Sequence, residues 1–143
     1  MLQENLKLTG KLSIAINDEV VKEVDNLVVT DGKEFVASRM KDTTAGAMSH
    51  MAIGTGSTAA AASDSALGSE SARVALTSTT VSSNTITYVA TFPANTPSSA
   101  AAITEAGLLN ASSSGTMLCR TVFDVVNKGT ADSMTITWTV TVS

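Results

Sequence analysis

From Met134 to Val142 the chain alternates without a break. Met134, Ile136, Trp138, Val140 and Val142 fall on one side, and Thr135, Thr137, Thr139 and Thr141 on the other. A period of two marks a strand with one face in a core and one face out. The same pattern runs from Asn84 to Phe92, where Ile86, Tyr88, Ala90 and Phe92 oppose Thr85, Thr87 and Thr91. Ile86, Tyr88, Phe92, Met134, Ile136, Trp138 and Val140 are therefore the predicted core. Near the start, Leu12, Ile14 and Ile16 alternate with Lys11, Ser13 and Ala15. Asn17-Asp18 follows as a turn, because both residues tolerate positive φ. Val20 to Thr30 then returns as the second arm of a hairpin, with a bulge expected near Asp25-Asn26.

The period then changes. Asp31 followed by Glu34 has the form of a capping box, and Phe35, Val36, Arg39 and Met40 recur at helical spacing, so a helix is predicted over 32–42. Asp42 to Gly46 closes it. Met48 to Gly54 reads as a short apolar strand. Ser57 to Ser71 reads as an Ala/Ser-rich loop crossing between sheets, with one helical turn over Asp64 to Gly68. Arg73 to Thr80 pairs with Asn84 to Phe92 around Ser82-Ser83. Ala101 to Asn110 pairs with Thr116 to Phe123 around the Ser112 to Gly115 turn. About eight strands with frequent turns give a mainly β fold, a two-sheet antiparallel β-sandwich with an N-terminal β-hairpin and one short helix.

Charge divides the chain unevenly. Residues 1–42 hold 6 of the 9 basic and 8 of the 13 acidic side chains, leaving 3 and 5 for the rest. The division predicted is a charged hairpin-helix arm or clasp over 1–42 and a sandwich over 43–143. Free surfaces carry about 25–35% charged residues, so the sandwich either has much of its outside covered by neighbours or stays soluble on a Ser/Thr coat. The net charge of −4 offers no electrostatic footprint for nucleic acid, and 3% aromatics supply little for base stacking. The single cysteine excludes an intramolecular disulfide and fits folding in a reducing cytoplasm. The N-terminus lacks the pattern of a secretion signal, and no apolar run approaches the roughly 20 residues of a membrane span. Neither nucleic acid nor membrane is expected as a partner.

Few residues offer chemistry. His50 is the sole histidine, and its adjacency to Ser49 does not make a triad, which needs three groups placed by the fold. Cys119 lies among Met117, Leu118 and Val122, as a small buried hydrophobe would. One His and one Cys cannot form a zinc set, and there is no calcium loop. Asp64 and Asp132 read as solvated turn residues. Gly54-Thr55-Gly56 lacks the rest of a phosphate-binding loop and reads as a tight strand end. No cofactor, metal or catalytic residue is expected, and the chain is read as a non-enzyme. Glu105 stands apart, since it interrupts the apolar run Ala101 to Leu109. A carboxylate in a buried strand must be paired, so Glu105 is predicted to pair with Arg120 on the hairpin partner or with Arg73 on a nearby strand. The alternative is that it faces solvent from the outer side.

Taken together, Ile53 to Thr58, Ala66 to Glu70 with Arg73, Thr85 to Phe92, Ile103 to Leu108 and Met117 to Phe123 resemble small virion proteins of tailed bacteriophages. The order of elements is similar to the N-terminal attachment domain of tail-collar fibres. The resemblance covers roughly residues 47–143, and the segment 11–42 is similar to the start of such proteins. Its motifs are short and structural. It implies a virion protein made in the bacterial host cytoplasm, a homo-oligomer contacting the major capsid protein or tail and neck proteins. Because no fibre shaft or receptor-binding region follows Ser143, it favours a capsid decoration (cement) protein. A tail or neck adaptor that seats fibres is the alternative. A surface carbohydrate-binding module is a third possibility, weakened by Tyr88 and Trp138 occupying core positions.

Overall fold

A computed structural model describes residues 5–41 and 46–143. The elements are β1 (Leu8–Ile16), β2 (Glu19–Val28), α1 (Thr30–Lys41), β3 (His50–Gly54), β4 (Glu70–Ala75), β5 (Ser78–Ser82), β6 (Thr85–Phe92), β7 (Ala101–Leu109), β8 (Met117–Lys128) and β9 (Met134–Val142). The chain is mainly β with one short helix. Its strands form one antiparallel sheet in the order β4-β3-β7-β8-β2-β1-β9-β6-β5, curled into a half-barrel. Separate sheets are not resolved as such, because β2 belongs to both halves. It pairs with β1 along most of its length and passes to β8 through Leu27↔Arg120 and Val28↔Cys119.

The two ends of the sheet are also joined. Arg73 to Thr80, expected as one strand beside β6, divides at Leu76-Thr77. Its first part pairs with β3 and its second with β6. The break is held from both sides, since Leu76 N donates to Ser49 O at 2.9 Å and Thr77 N to Val89 O at 2.7 Å. Strands that change partners at corners are how a sheet turns back over its own face. This division accounts for nine strands among the described residues, where about eight were expected.

The β1–β2 hairpin turns at Asn17-Asp18 with φ of 50° and 69°, the left-handed pair that a two-residue hairpin requires. Its bulge is not at Asp25-Asn26. The register shifts between Ile14 and Ala15, so the extra residue falls beside Val21. The hairpin is no peripheral arm. β1 lies between β2 and β9, pairing from Leu8↔Val142 to Ile16↔Met134. Leu12 and Ile14 are fully buried in the main core with Trp138, Phe92, Met51 and Ile103. A boundary at residue 42 would therefore cut through one shared core. Of the predicted core residues, Tyr88, Phe92, Met134, Ile136, Trp138 and Val140 are buried, while Ile86 is half-buried against the cluster.

Helix α1 begins earlier than expected. Lys33 N donates to Val29 O at 3.1 Å, so Asp31 stands in the first turn and not at the cap. Gly32 meets the Leu118 carbonyl so closely that a Cβ would collide with it, and Phe35 and Val36 pack on the core edge. The closing turn expected over Asp42 to Gly46 lies, up to Ala45, outside the described residues. The 55–69 segment joins the neighbouring strands β3 and β4 instead of crossing between sheets. Its only turn is at Ala62-Ser63, in place of a helical turn over Asp64 to Gly68.

Candidate functional site

Glu105 and Gly107 on β7 alternate with Ala106 and Leu108, which enter the main core. They therefore face the opposite side of the sheet. Arg120 on β8 lies across from Gly107 on that same side, and Gly54 on β3 lies across from Glu105. An outward strand face is ordinarily wet, yet Glu105 is 0% and Arg120 2% exposed. The 55–69 segment roofs them. Beneath the same side, Val29, Ala52, Leu109 and Met117 form a second apolar cluster with Leu67 of the segment packed on it.

The carboxylate of Glu105 holds the roof down. Its Oε2 accepts from Gly56 N at 2.8 Å and Ser69 N at 2.7 Å, and its Oε1 accepts from Gly68 N at 2.8 Å. Arg120 donates to Oε1 from Nη2 at 2.9 Å and from Nε at 3.2 Å. The other edge of the guanidinium reaches the roof directly, through Nη1 to Asp64 Oδ2 at 2.8 Å and Nη2 to the Thr58 carbonyl at 3.0 Å. Thr104 Oγ1 donates to Gly56 O at 2.7 Å. Glycine is required at 56, where a Cβ would strike the Glu105 carboxylate, and at 54, where it would strike the Ser69 carbonyl. Gly54-Thr55-Gly56 is thus a strand end shaped around an internal anion.

Desolvation pushes the Glu105 pKa up, but the backbone donors of Ser69, Gly68 and Gly56 together with Arg120 outweigh it, and the carboxyl is held below its ordinary value. Five donors saturate the two oxygens. What remains is a fixed buried charge that pins a loop, with no lone pair addressed to a ligand.

The predicted Glu105–Arg120 pair is therefore present, and both readings of Glu105 contained a part of it: outer face, yet buried. Arg73 is not a partner. Its Nη2 pairs with Glu70 at 2.7 Å, and its Nη1 donates to the carbonyls of Ala111 and Ser114, each at 2.9 Å. Asp64 is a ligand of Arg120 and also accepts from Ala61 N at 2.8 Å, so it is no free turn residue. Asp132 accepts from Asn17 Nδ2 and Gly129 N, which lower its pKa. His50 opens β3 with Nδ1 2.8 Å from Ser49 Oγ. Cys119 is buried, and desolvation lifts its thiol to about 12.

Sequence reasoning did not find Lys128, which is buried with Nζ donating to Pro93 O at 3.0 Å and Asp132 O at 2.7 Å. Burial lowers its pKa, against the pull of Asp132. The signal available was its place two residues after core Val126, before the Gly129 to Asp132 turn.

The opposite wing offers a different surface. The threonines of β6 and β9 lie in register on the outer face as Thr85↔Thr141, Thr87↔Thr139 and Thr91↔Thr135, the last pair hydrogen-bonded at 3.0 Å. The neighbouring strands β1 and β2 add Thr9, Lys11, Ser13, Glu23 and Asp25, which together with Thr137, Thr139 and Thr141 line an open groove of about 440 Å³. Among the described residues no group of three metal-ligating side chains occurs, and no helix is long and apolar enough to cross a membrane. Comparison with protein-family models, curated proteins and solved structures gives no match to this chain.

Proposed function

We propose that this chain is a non-enzymatic structural protein of a bacteriophage particle, acting as a capsid decoration protein that contacts the major capsid protein and copies of itself. The observation that carries this reading is where the buried charge goes. Glu105, Arg120 and Lys128 are each bound to groups of the protein itself, and each fixes a loop to the sheet. Rigid loops on a stiff sheet suit a part whose work is to present a fixed surface. The two wings face one another across the shared core, so the unit resists deformation as a two-layer sandwich would. The resemblance of residues 47–143 to small virion proteins supports the setting.

Quantitative mass spectrometry of purified particles tests the reading. Hundreds of copies per particle are expected for decoration, whereas six or twelve would reassign the chain to a tail or neck adaptor. Absence from particles would overturn both. The hydroxyl- and carboxylate-lined groove on the β1–β2–β9 face is the one observation favouring a carbohydrate-binding module. Glycan-array binding abolished by Asp25→Ala would establish that reading instead.

A further inference from the structure

The two terminal strands of the sheet differ in how they are protected. β4 carries the Glu70–Arg73 pair, and Arg73 ties it to the β7–β8 turn. β5 has no such device. All five of its residues, Ser78 to Ser82, are exposed, and among the described residues β6 is its sole strand neighbour. It has no charge, no proline, no register break against β6 and no covering segment among the described residues. Natural edge strands ordinarily carry at least one of these safeguards, because their free N–H and C=O groups invite another strand. Val81 is paired with Ile86, on the side of the sheet where Tyr88 and Phe92 enter the core, yet it is 69% exposed.

Charge selects the occupant. No Asp, Glu, Lys, Arg or His occurs from Val74 to Thr104 or from Ser133 to Ser143. Hence β5, β6 and β9, three neighbours in the sheet, carry no charged side chain at neutral pH. A two-fold interface sets every charged group near the axis against its own copy, which is repulsive. A surface without charge escapes this penalty. The strand is also nearly symmetric in polarity, Ser-Thr-Thr-Val-Ser, so an antiparallel copy gives Thr80 opposite Thr80, Thr79 opposite Val81 and Ser78 opposite Ser82.

We infer that β5 is a self-pairing edge, where a second copy of this chain adds its own β5 antiparallel about a two-fold axis at Thr80, continuing the sheet across two protomers. The contact is small and belongs to the weak class of interfaces below about 1,200 Å². It gains strength where many copies are held together. The inference deepens the self-association in the proposed function, but it is tested on purified protein, independently of whether the chain enters particles.

Thr80→Cys provides the direct test, because the protein's own Cys119 is buried and its thiol stays protonated. Mild oxidation should link Thr80→Cys into disulfide dimers, while Val125→Cys, exposed on β8, should remain mostly monomeric. Thr80→Lys should weaken association in sedimentation equilibrium roughly tenfold or more, with near-ultraviolet dichroism and melting temperature unchanged. Equal cross-linking at positions 80 and 125 would overturn the inference. So would a wild-type protein that stays monomeric at millimolar concentration, or association untouched by Thr80→Lys.

Discussion

Glu105→Gln changes little in shape and much in hydrogen bonding. The carboxylate presents two acceptor oxygens, and the amide presents one oxygen and one NH2. Placed toward Gly56 and Ser69, the NH2 opposes two backbone donors. Placed on the other side, it opposes Gly68 N and the two bonds from Arg120. Either orientation loses at least two bonds and leaves the buried guanidinium with Asp64 as its only anion. Removing one partner of a buried pair costs about 3–5 kcal/mol. At roughly 3 °C per kcal/mol for a chain of this size, the melting temperature should fall by roughly 10–15 °C. Thermal and urea unfolding followed by Trp138 fluorescence measure this directly.

The double variant Glu105→Leu with Arg120→Met separates a clasp from a simple ion pair. If the pair mattered only to itself, replacing both members with apolar groups would restore stability. Because three roof N–H groups also need the carboxylate, the double variant should remain destabilised, with fast hydrogen exchange at Gly56, Gly68 and Ser69. Recovery of wild-type stability, or a Glu105→Gln cost below about 1 kcal/mol, would refute the clasp. The pH dependence follows the same logic. The unfolded carboxyl titrates near 4.5 and the folded one lower, so the contribution is complete above that value. It is lost as pH falls through the folded pKa, and Glu105→Gln should flatten this acid limb.

Three further outcomes are expected. Trp138→Ala empties the largest fully buried site and should cost about 3–5 kcal/mol in denaturant unfolding; a near-wild-type midpoint would contradict the facing of β9. Deleting residues 1–41 removes α1 and both strands between β8 and β9 and should abolish the cooperative thermal transition, whereas a folded remainder would mean that the two wings hold together without β1 and β2. Cys119 should react with a thiol reagent far more slowly in the native protein than in denaturant, and equal rates would contradict its burial.

Strands with one buried face were legible because their period is imprinted residue by residue. β9, β6 and the β1–β2 hairpin fall where alternation placed them. What alternation does not carry is partnership. Leu76-Thr77 reads like any other strand dipeptide, and only the curl of the whole sheet decides that the chain changes neighbours there. The same limit explains the misplaced role of the hairpin: Lys11, Glu23 and Asp25 lie on the outward positions of β1 and β2, while Leu12 and Ile14 meet Trp138 and Ile136, more than 100 residues away. At the clasp, the cost of a lone carboxylate in an apolar run identified Glu105 and proposed Arg120. The roof was not legible, since its donors are backbone N–H groups of Gly56, Gly68 and Ser69, which no residue type announces. Arg73 was an equal candidate in sequence, and only position on the sheet separates it from Arg120.

The pairing of β1 with β9 also bears on how the molecule is made. Leu8 meets Val142, so a loop spanning nearly the whole chain must close before the central strand is seated. On a ribosome the hairpin emerges early with Leu12 and Ile14 uncovered, and their strand partners Trp138 and Ile136 arrive only with β9. Such non-local topology folds slowly and leaves strand edges open in the interval. Synthesis at reduced temperature, or with a holdase present, should therefore raise the soluble yield without altering the final fold.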